Sequence, residues 1–317
     1  MTVTVLVLSV DEAHRLEHCL PAAAAQPGAE VVVIDNACTD QSAAVAKAHG
    51  ARVVALPERL SYAAALNAGL RATGPDEAVL LLNADCVLDA GFLAAALPRL
   101  RATGVGSVAP RLLRARGLAA DERLEEIDAA GLVVDRRRKN TLVGHGAPAS
   151  AYARPGEAFG ADGAAALYRR DTLEDCAVAG EVLDEDMALW ASDVDLAWRA
   201  RLLGWTCAYE PGALAWHVRT YSPSTRGDVS AADRRLQFRN RYLMSAKNDT
   251  WRDRLADAPP IALYEVLALG HALLRERTLL AGYGEARRLR AGARRRGRAV
   301  QSRRRVRRVP FGLTPER

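Results

Sequence analysis

Apolar and polar positions form alternating blocks over the first hundred residues. Runs rich in valine, leucine and isoleucine span residues 3–8, 30–34, 52–56 and 78–82. Alanine-rich stretches with helical periodicity accompany them at residues 12–25, 41–49, 62–72 and 90–102. Strands that are apolar throughout and alternate with helices are typical of a mostly parallel sheet covered on both faces. The pattern therefore predicts an α/β fold with a mostly parallel central sheet flanked by helices.

The pattern becomes less regular after this first half. Residues 103–180 are rich in Gly, Arg and Asp and predict short strands and loops. Residues 193–203 predict a helix, residues 222–233 a mobile loop, and the chain from Leu236 onward is again helical. We therefore expect a domain over residues 1–245, with halves 1–110 and 111–245, followed by a helical, arginine-rich extension over residues 246–317.

Charge is distributed unevenly along the 317 residues. Half of them are hydrophobic and 26% are charged, which is the composition of a folded globular protein. The net charge is +6, but residues 287–317 contain 13 Arg and one acid, a local net of +12. Residues 1–286 therefore carry −6. This asymmetry predicts an anionic partner for the C-terminal segment.

The cysteines and the apolar segments indicate the compartment. The five cysteines are scattered and form no CxxC pair, which indicates reduced thiols and a cytoplasmic location rather than disulfides or a zinc site. No signal peptide is visible at the N-terminus. The longest later apolar run, residues 261–274, is too short to cross a bilayer and is interrupted by Glu265 and His271.

Polar residues follow the predicted strands where a ligand crevice is expected. In an open α/β sheet, ligands bind beyond the carboxyl ends of the strands. The polar residues at these ends are Ser9, Asp11, Asp35, Asn36, Asp40, Asn83 and Asp85. Neither GxGxxG after the first strand nor GxxxxGK[ST] is present, so the ligand is not held by a glycine-rich phosphate cradle.

Three groups of residues could carry chemistry. Asn83 and Asp85 end a buried strand and could hold a divalent cation such as Mg²⁺, or form only a polar turn. His217 ends a short apolar strand and could complete a metal site with Asp85, although a lone histidine is more often structural.

The third group surrounds a predicted helix start. Ser192 is expected to cap this helix, with Asp195 completing a capping-box-like pair. Asp193 then lies in the first turn, where the helix dipole favours an ionised carboxylate suited to a general base. The alternative is that these acids only cap the helix and pair with Arg199 and Arg201.

Together these pieces resemble glycosyltransferase family 2, the inverting nucleotide-sugar transferases with a GT-A fold, and within it a bacterial rhamnosyltransferase-like branch. The resemblance covers about residues 3–245. Its motifs are residues 33–40 (VIDNACTD), 67–69 (NAG), 82–85 (LNAD), 160–163 (GADG), 168–170 (YRR), 192–196 (SDVDL), 198–199 (WR) and His217.

The resemblance implies a role for each matching residue. Ser9, Asp35, Asn67 and Asn83 would bind the donor nucleotide, with Asp35 on the base and Asn83 acting through water. Asp85 and His217 would hold Mg²⁺ or Mn²⁺ at the diphosphate. Asp193 would be the catalytic base, and Asp162 and Trp190 would line the acceptor side. Departures from the family pattern are Asp11 for Asn, Ser61 and Tyr62 for Gly-Phe, and Ser192 for the Glu before the base.

The expected partners are a nucleotide-sugar donor and a glycan or lipid-linked acceptor of the cell envelope. The apolar-then-basic order of residues 261–308 favours an interfacial helix and an arginine patch on the anionic inner face of the cell membrane. A solvated helix or a nucleic-acid-binding tail are the alternatives, and nucleic acid is the less favoured partner. A nucleotidyltransferase and a non-catalytic sugar-nucleotide-binding module are the competing functions.

Overall fold

The structure is a computed structural model that describes residues 2–219 and 227–317. Its strands, in chain order, are β1 Val3–Ser9, β2 Ala29–Asp35, β3 Arg52–Ala55, β4 Ala78–Asn83, β5 Cys86–Leu88, β6 Val105–Ala115, β7 Arg123–Ala129, β8 Leu132–Val134, β9 Asn140–Leu142, β10 Gly156–Ala158, β11 Ala165–Arg169 and β12 Thr206–His217.

One large sheet holds most of these strands, in the order β10-β12-β6-β11-β4-β1-β2-β3. The strands β3, β2, β1 and β4 are parallel, as are β12 and β6, whereas β11 runs antiparallel between β4 and β6. The strand β5 pairs with β12, β7 pairs with β6, and β8 and β9 form a separate hairpin. The predicted α/β class with a mostly parallel central sheet is confirmed.

Helices cover both faces of this sheet. They are α1 Ala13–Ala24, α2 Ser42–Ala48, α3 Tyr62–Ala72, α4 Phe92–Leu100, α5 Arg170–Cys176, α6 Ser192–Leu202, α7 Ala231–Asn248, α8 Trp251–Ala256, α9 Ala258–Leu274 and α10 Leu279–Gln301. One core layer lies between the sheet and α1, α2 and α4, and a second lies between the sheet and α3, α5 and α6. The apolar runs of β1, β2 and β4 are buried because they contact both layers.

Two predictions about the second half need correction. Residues 103–180 were expected to form only short strands, but β6 is 11 residues long, because it lies inside the sheet between β11 and β12. Within the predicted loop 222–233, residues 222–226 lie outside the described residues, and α7 already begins at Ala231. It begins there because the Ser230 hydroxyl accepts a hydrogen bond from the Asp233 amide at 3.0 Å.

The C-terminal segment packs on the rest of the chain. Helix α10 lies against α7 so closely that a Cβ at Gly297 would stand 2.5 Å from the Lys247 carbonyl oxygen. Beyond α10 the chain returns to the domain, where Phe311 contacts the ring of Trp198 edge to face at 5.1 Å. The predicted boundary at residue 245 falls inside α7. Among the described residues, no helix combines the length and the hydropathy that a bilayer crossing requires.

Candidate active site

The carboxyl ends of three parallel strands place the predicted donor residues side by side. Ser9 pairs in register with Asp35, and Leu8 pairs with Asn83, so all three strands end at one edge of the sheet. The buried Ser9 hydroxyl donates to the Ser42 hydroxyl at 2.9 Å, and the Asp35 carboxylate accepts from the Cys38 amide at 2.8 Å. Ser9, Asp35 and Asn83 therefore lie together at the edge of the sheet where the ligand crevice is expected.

Asp11 shapes the loop at the rim of this crevice. Its backbone has a φ of 57°, a left-handed conformation that Asn and Asp tolerate better than most residues. Its carboxylate accepts from the Thr39 amide at 2.6 Å and from Arg59 at 2.6 Å. The hydrogen bond from Arg59 lowers the pKa of Asp11 to about 2. Asp in place of the expected Asn thus preserves the turn and adds an ion pair.

A group of possible metal ligands also lies at this rim. Among the described residues, the side chains of Asp11, Cys38 and Asp40 bring one ligand atom each within 4.8 Å of one another. The carboxylate oxygens of Asp11 and Asp40 already accept hydrogen bonds within the loops. Asp40, for example, accepts from the amides of Ser42 and Ala13, each at 2.9 Å. This group stabilises the loops that border the donor crevice.

Asn67 uses its whole side-chain amide inside the protein. Its Nδ2 donates to the Leu183 carbonyl at 2.8 Å and to Glu185 at 3.0 Å. Its Oδ1 accepts from the amides of Val182 and Leu183 at 3.1 and 2.9 Å. The predicted donor residue Asn67 therefore ties α3 to the loop that precedes α6.

Asp85 and His217, the predicted metal pair, are neighbours in the structure. The Asp85 Oδ1 lies 3.2 Å from the His217 Nε2, because β5 and β12 pair antiparallel with Cys86 opposite His217. The opposite ring nitrogen of His217 contacts Asp128 Oδ2 at 2.8 Å. Burial disfavours the charged imidazole, but hydrogen bonds to Asp128 and Asp85 outweigh it and raise the pKa of His217 to about 9.

These residues fit a small divalent cation. Asp85 Oδ1 is close to His217 Nε2, at 3.2 Å, and a cation bound between these two atoms would replace this contact, so Asp85 Oδ1 is an available oxygen ligand. Two neighbouring ligands on one Mg²⁺-sized ion lie about 3 Å apart, which is close to the observed separation. A carboxylate that holds the far nitrogen of a ligating histidine, as Asp128 does, is a recurrent partner of metal-bound imidazole.

A positive side chain enters the same pocket from α1. One Arg15 terminal nitrogen lies 3.5 Å from Asp85 Oδ2, and it also contacts the Glu12 carboxylate. Burial is the main cause that raises the pKa of Glu12, and the charge of Asp85 adds to it. This edge of the sheet therefore brings a guanidinium next to the Asp85 carboxylate.

Arg219 connects the pair Asp85 and His217 to the surroundings of Asp193. Its Nε donates to both carboxylate oxygens of Asp128, at 2.7 and 2.9 Å, and its terminal nitrogen donates to Asp162 at 2.9 Å. Asp162 is followed by Gly163, whose amide donates to Asp193 Oδ2 at 3.1 Å. Asp85 and Asp193 are thus joined by a continuous series of contacts at the edge of the sheet where β4 ends and β11 begins.

The environment of Asp193 suits a general base. Burial, with the nearby charge of Asp162, raises the pKa of Asp193 to about 6. The hydrogen bonds from the Val194 and Gly163 amides act in the opposite direction but do not outweigh it. The Tyr62 hydroxyl lies near Gly163. Burial is the main cause that raises the pKa of this phenol, and the negative charges of Asp193, Asp162 and Asp85 add to it. A carboxylate with a pKa near 6 is ionised at neutral pH and can still accept a proton.

The loop before α6 is held in a strained conformation. Ala188, Trp190 and Ala191 all have φ between 59° and 71°. The Leu189 amide donates to the Met187 carbonyl at 2.7 Å around Ala188, a tight γ-turn that is rare in proteins. Such geometry persists only where its surroundings fix it.

Asn240 of α7 fixes this loop. Its fully buried Nδ2 donates to three carbonyls, those of Met187 at 2.8 Å, Leu189 at 2.7 Å and Trp190 at 3.0 Å. Trp190, predicted on the acceptor side, also donates its indole N–H to Asp233 at 3.4 Å. Helix α7 therefore sets the position at which α6 and its Asp193 begin.

Asn240→Ala is expected to lower kcat about a hundredfold and to leave the donor KM within about twofold. The loss follows because a displacement of about 1 Å in a reacting group is enough for such an effect. Gln237→Ala, one turn earlier on the same helix, is the control, since Gln237 Nε2 donates to none of the described residues. Steady-state kinetics of both variants, with Tm as a check on folding, measure the effect; equal kcat values would contradict it.

Ser192 and Asp195 do not form the predicted capping pair. Helix α6 begins at Ser192 with Ala191 as its cap residue, and no side chain caps it. Asp195 is fully buried and instead contacts Arg199 at 2.9 Å, Lys247 at 2.7 Å and Asn248 at 2.7 Å. The predicted pairing with Arg199 is confirmed, but Arg201 pairs with Glu157. Asp195 faces into the protein because Lys247 and Asn248 of α7 cover it.

Comparison with known proteins agrees with this geometry. A model described as Glycosyltransferase like family 2 matches residues 2–242. An uncharacterized glycosyltransferase of Mycobacterium tuberculosis strain H37Rv is 45% identical over 94 residues, which cover 29% of this chain and 40% of that protein. A Mycobacterium bovis counterpart matches over the same length with the same identity. The match thus spans about two fifths of the length of these curated relatives.

Solved glycosyltransferases share the fold. GalNAc-T7 with UDP, GalNAc and Mn²⁺ has a TM-score of 0.61 at 12% identity, over 78% of this chain and 48% of that one. The Pyrobaculum calidifontis mannosyltransferase with GDP-Man and Mn²⁺ has a TM-score of 0.54 at 19% identity, over 95% of this chain and 85% of that one. S. aureus TarS 1–349 with UDP-GlcNAc has a TM-score of 0.58 at 15% identity, over 95% of this chain and 88% of that one. The GT-A fold expected from the sequence is confirmed.

Proposed function

This chain belongs to the Glycosyltransferase like family 2, and from that premise we propose that it transfers a sugar from a nucleotide-diphosphate donor to an acceptor hydroxyl with inversion. The donor is of the dTDP-rhamnose or UDP-sugar type, and the acceptor is a cell-envelope glycan or a lipid-linked one. The observation that carries the proposal is the series of contacts that joins Asp85 and His217 to Asp193 through Arg219.

The donor would lie across the strand ends. Asp35 would contact the base and Ser9 would line the nucleotide pocket, while Asn67 holds α3 against the loop before α6. Asn83 would act beside the diphosphate through water, and Arg15 adds positive charge there. Asp85 and His217 would hold Mg²⁺ or Mn²⁺, of which Mn²⁺ accepts an imidazole ligand more readily. When bound, this cation neutralises charge on the leaving diphosphate.

The transfer would be a single displacement. The Asp193 carboxylate takes the proton of the acceptor hydroxyl while the acceptor oxygen bonds to the anomeric carbon. The bond from that carbon to the diphosphate breaks, and its electron pair leaves with the nucleoside diphosphate. The Gly163 and Val194 amides hold Asp193 in place, and Asp162 and Trp190 would form the acceptor side. Holding both substrates in line lowers the barrier by removing orientational freedom.

The rate of transfer is expected to fall below about pH 6. Asp193 must be ionised to act, and its pKa is about 6, so below that pH each further unit of acidification lowers the ionised fraction about tenfold. Asp162→Asn removes a negative neighbour while Arg219 stays, so the acid limb should move to lower pH. The pH profile of kcat for both proteins measures this; an acid limb near pH 4 in the wild type would contradict it.

A donor screen distinguishes this function from its alternatives. Purified protein is incubated with UDP-, GDP- and dTDP-sugars with and without Mn²⁺, and the Tm and the release of nucleoside diphosphate are followed. A transferase gives metal-dependent stabilisation and slow hydrolysis that releases nucleoside diphosphate. A binding module gives stabilisation without hydrolysis, and a nucleotidyltransferase uses sugar phosphate with nucleoside triphosphate and releases pyrophosphate. Either of the last two results would overturn the proposal.

The proposed place of work is the inner face of the cell membrane. Acceptors that are lipid-linked lie there, and an enzyme without a membrane span among its described residues can reach them as a peripheral protein. Anionic lipids attract basic surface segments. The positively charged C-terminal region supports this location.

A further inference from the structure

The exposed apolar residues of this protein are concentrated on two consecutive helices. Of ten exposed large hydrophobic side chains among the described residues, eight lie on α8 and α9. They are Trp251, Leu255, Leu263, Val266, Leu267, Leu269, Leu273 and Leu274, from 45% to 84% exposed. We refer to these eight residues as the α8–α9 face. Such a concentration marks an interaction surface rather than scattered surface residues.

Helix α9 has two different sides. Leu263, Val266, Leu267 and Leu274 recur at helical spacing on the exposed side. On the opposite side Glu265 accepts a hydrogen bond from the Tyr242 hydroxyl at 2.6 Å and pairs with Arg241 at 2.8 Å. The polar side thus packs on α7, and the apolar side is the one turned to solvent.

The exposed charged side chains of residues 251–315 are arginines. Each acid between residues 251 and 315 is paired with an arginine, and these acids are Asp253, Asp257, Glu265, Glu276 and Glu285. Exposed arginines flank the face at positions 252, 254, 275 and 277. Others cover the outer side of α10, at positions 287, 288, 290, 294, 295 and 298. An apolar surface bordered by arginine is therefore presented without exposed acids in this stretch.

The last arginines of the chain serve a different purpose. Arg296 pairs with Glu181 at 3.1 Å, Arg304 with Asp253 at 2.8 Å and Arg305 with Asp175 at 3.0 Å. Arg303 donates to the carbonyls of Asp175 and Ala177 at 2.7 and 3.1 Å. These side chains fasten the C-terminal segment to the domain, so part of the arginine patch predicted from the sequence serves contacts within the protein.

We infer that the α8–α9 face, with its flanking arginines, is the surface by which this protein lies on an anionic lipid bilayer. Apolar side chains enter the boundary between headgroups and acyl chains, while arginines meet lipid phosphates. A symmetric dimer through this face would oppose like-charged arginines, and nucleic acid would leave the apolar side chains without a partner. The inference rests on the proposed function for its use, because it brings a lipid-linked acceptor to the enzyme.

Vesicle co-sedimentation of the full chain tests the inference without any donor. The vesicles contain phosphatidylcholine with 30% phosphatidylglycerol, or phosphatidylcholine alone. The test variant is Leu263→Glu/Leu267→Glu/Leu274→Glu, whose side chains are exposed, so its Tm should match the wild type. The control Ala44→Glu/Ala48→Glu/Ala102→Glu adds the same charge at exposed positions elsewhere. Deleting residues 287–317 is unsuitable because it removes the packing of α10 on α7.

We expect the wild type and the control to bind anionic vesicles at least tenfold more tightly than the test variant, and more tightly than they bind neutral vesicles. No wild-type binding, equal binding by the test variant, or equal loss in the control would overturn the inference. A wild-type dimer that the test variant dissociates, without lipid binding, would do the same. Donor hydrolysis should be equal in all three proteins, so failure of the lipid result leaves the proposed function standing.

Discussion

Asp193→Asn is expected to reduce transfer about a thousandfold while donor binding stays within about twofold. A positioned general base contributes between about 10² and 10⁴ to a rate, and asparagine keeps the shape of the residue without a basic oxygen. The Gly163 and Val194 amides donate to different oxygens of Asp193, and the Asn Oδ1 keeps one of these two hydrogen bonds, so the start of α6 should be preserved. Steady-state transfer and calorimetric titration of UDP with Mn²⁺ measure the two quantities.

The control for this variant is Asp233→Asn on the neighbouring α7. The Asp233 carboxylate accepts from the Trp190 indole at 3.4 Å and from the hydroxyl of Ser230, the residue that caps α7, so its loss disturbs the same region without removing the base. Its transfer should stay within about fivefold of the wild type. Turnover by Asp193→Asn at the wild-type rate would exclude Asp193 from the mechanism.

Asp85→Asn is expected to weaken Mn²⁺-dependent donor binding at least tenfold and to lower transfer at least a hundredfold. The neutral amide is a poorer ligand for a hard cation, and the charge that attracts the ion is lost. Asp89→Asn is the matched control, because Asp89 lies four residues further along and its side chain accepts, among the described residues, from the Gly91 amide at 3.0 Å. Titration of UDP at several Mn²⁺ concentrations measures the effect, and identical metal dependence in Asp85→Asn and wild type would contradict it.

The fold was predictable because local pattern and burial agree. The runs that become β1, β2 and β4 are apolar on both faces, and each is buried on both faces. Since parallel strands end at one edge, their polar residues were expected to meet, and Ser9 and Asp35 do pair in register. Asp85 and His217 are 132 positions apart in the sequence, yet the family resemblance predicted that they would lie together.

Residues fixed by distant partners could not be predicted in the same way. Asp128 looks like one acid among several in Glu-Glu-Ile-Asp, yet it receives both His217 and Arg219. Asn240 has no local signal either, because its three acceptors lie about fifty positions earlier. Ser192 had the right residue type for a cap, but tertiary packing buries its hydroxyl and moves the helix start.

The arginine-rich end illustrates the same limit. Composition alone gave residues 287–317 a charge of +12 and suggested one continuous anionic-partner surface. Ion pairs with Glu181, Asp253 and Asp175 divide this segment into an inner part that fastens the chain and an outer part on α10. The positive charge of this segment was readable from the sequence, whereas only the structure shows which arginines pair within the protein and which face outward.

The most direct measurement is a crystal structure of Asp193→Asn with Mn²⁺ and a nucleotide sugar identified in the donor screen. Anomalous scattering would locate the ion. The account predicts Mn²⁺ bound by Asp85 and His217, with the anomeric carbon of the donor between the diphosphate and residue 193. Manganese at the Asp11, Cys38 and Asp40 group, or a sugar placed away from residue 193, would contradict it.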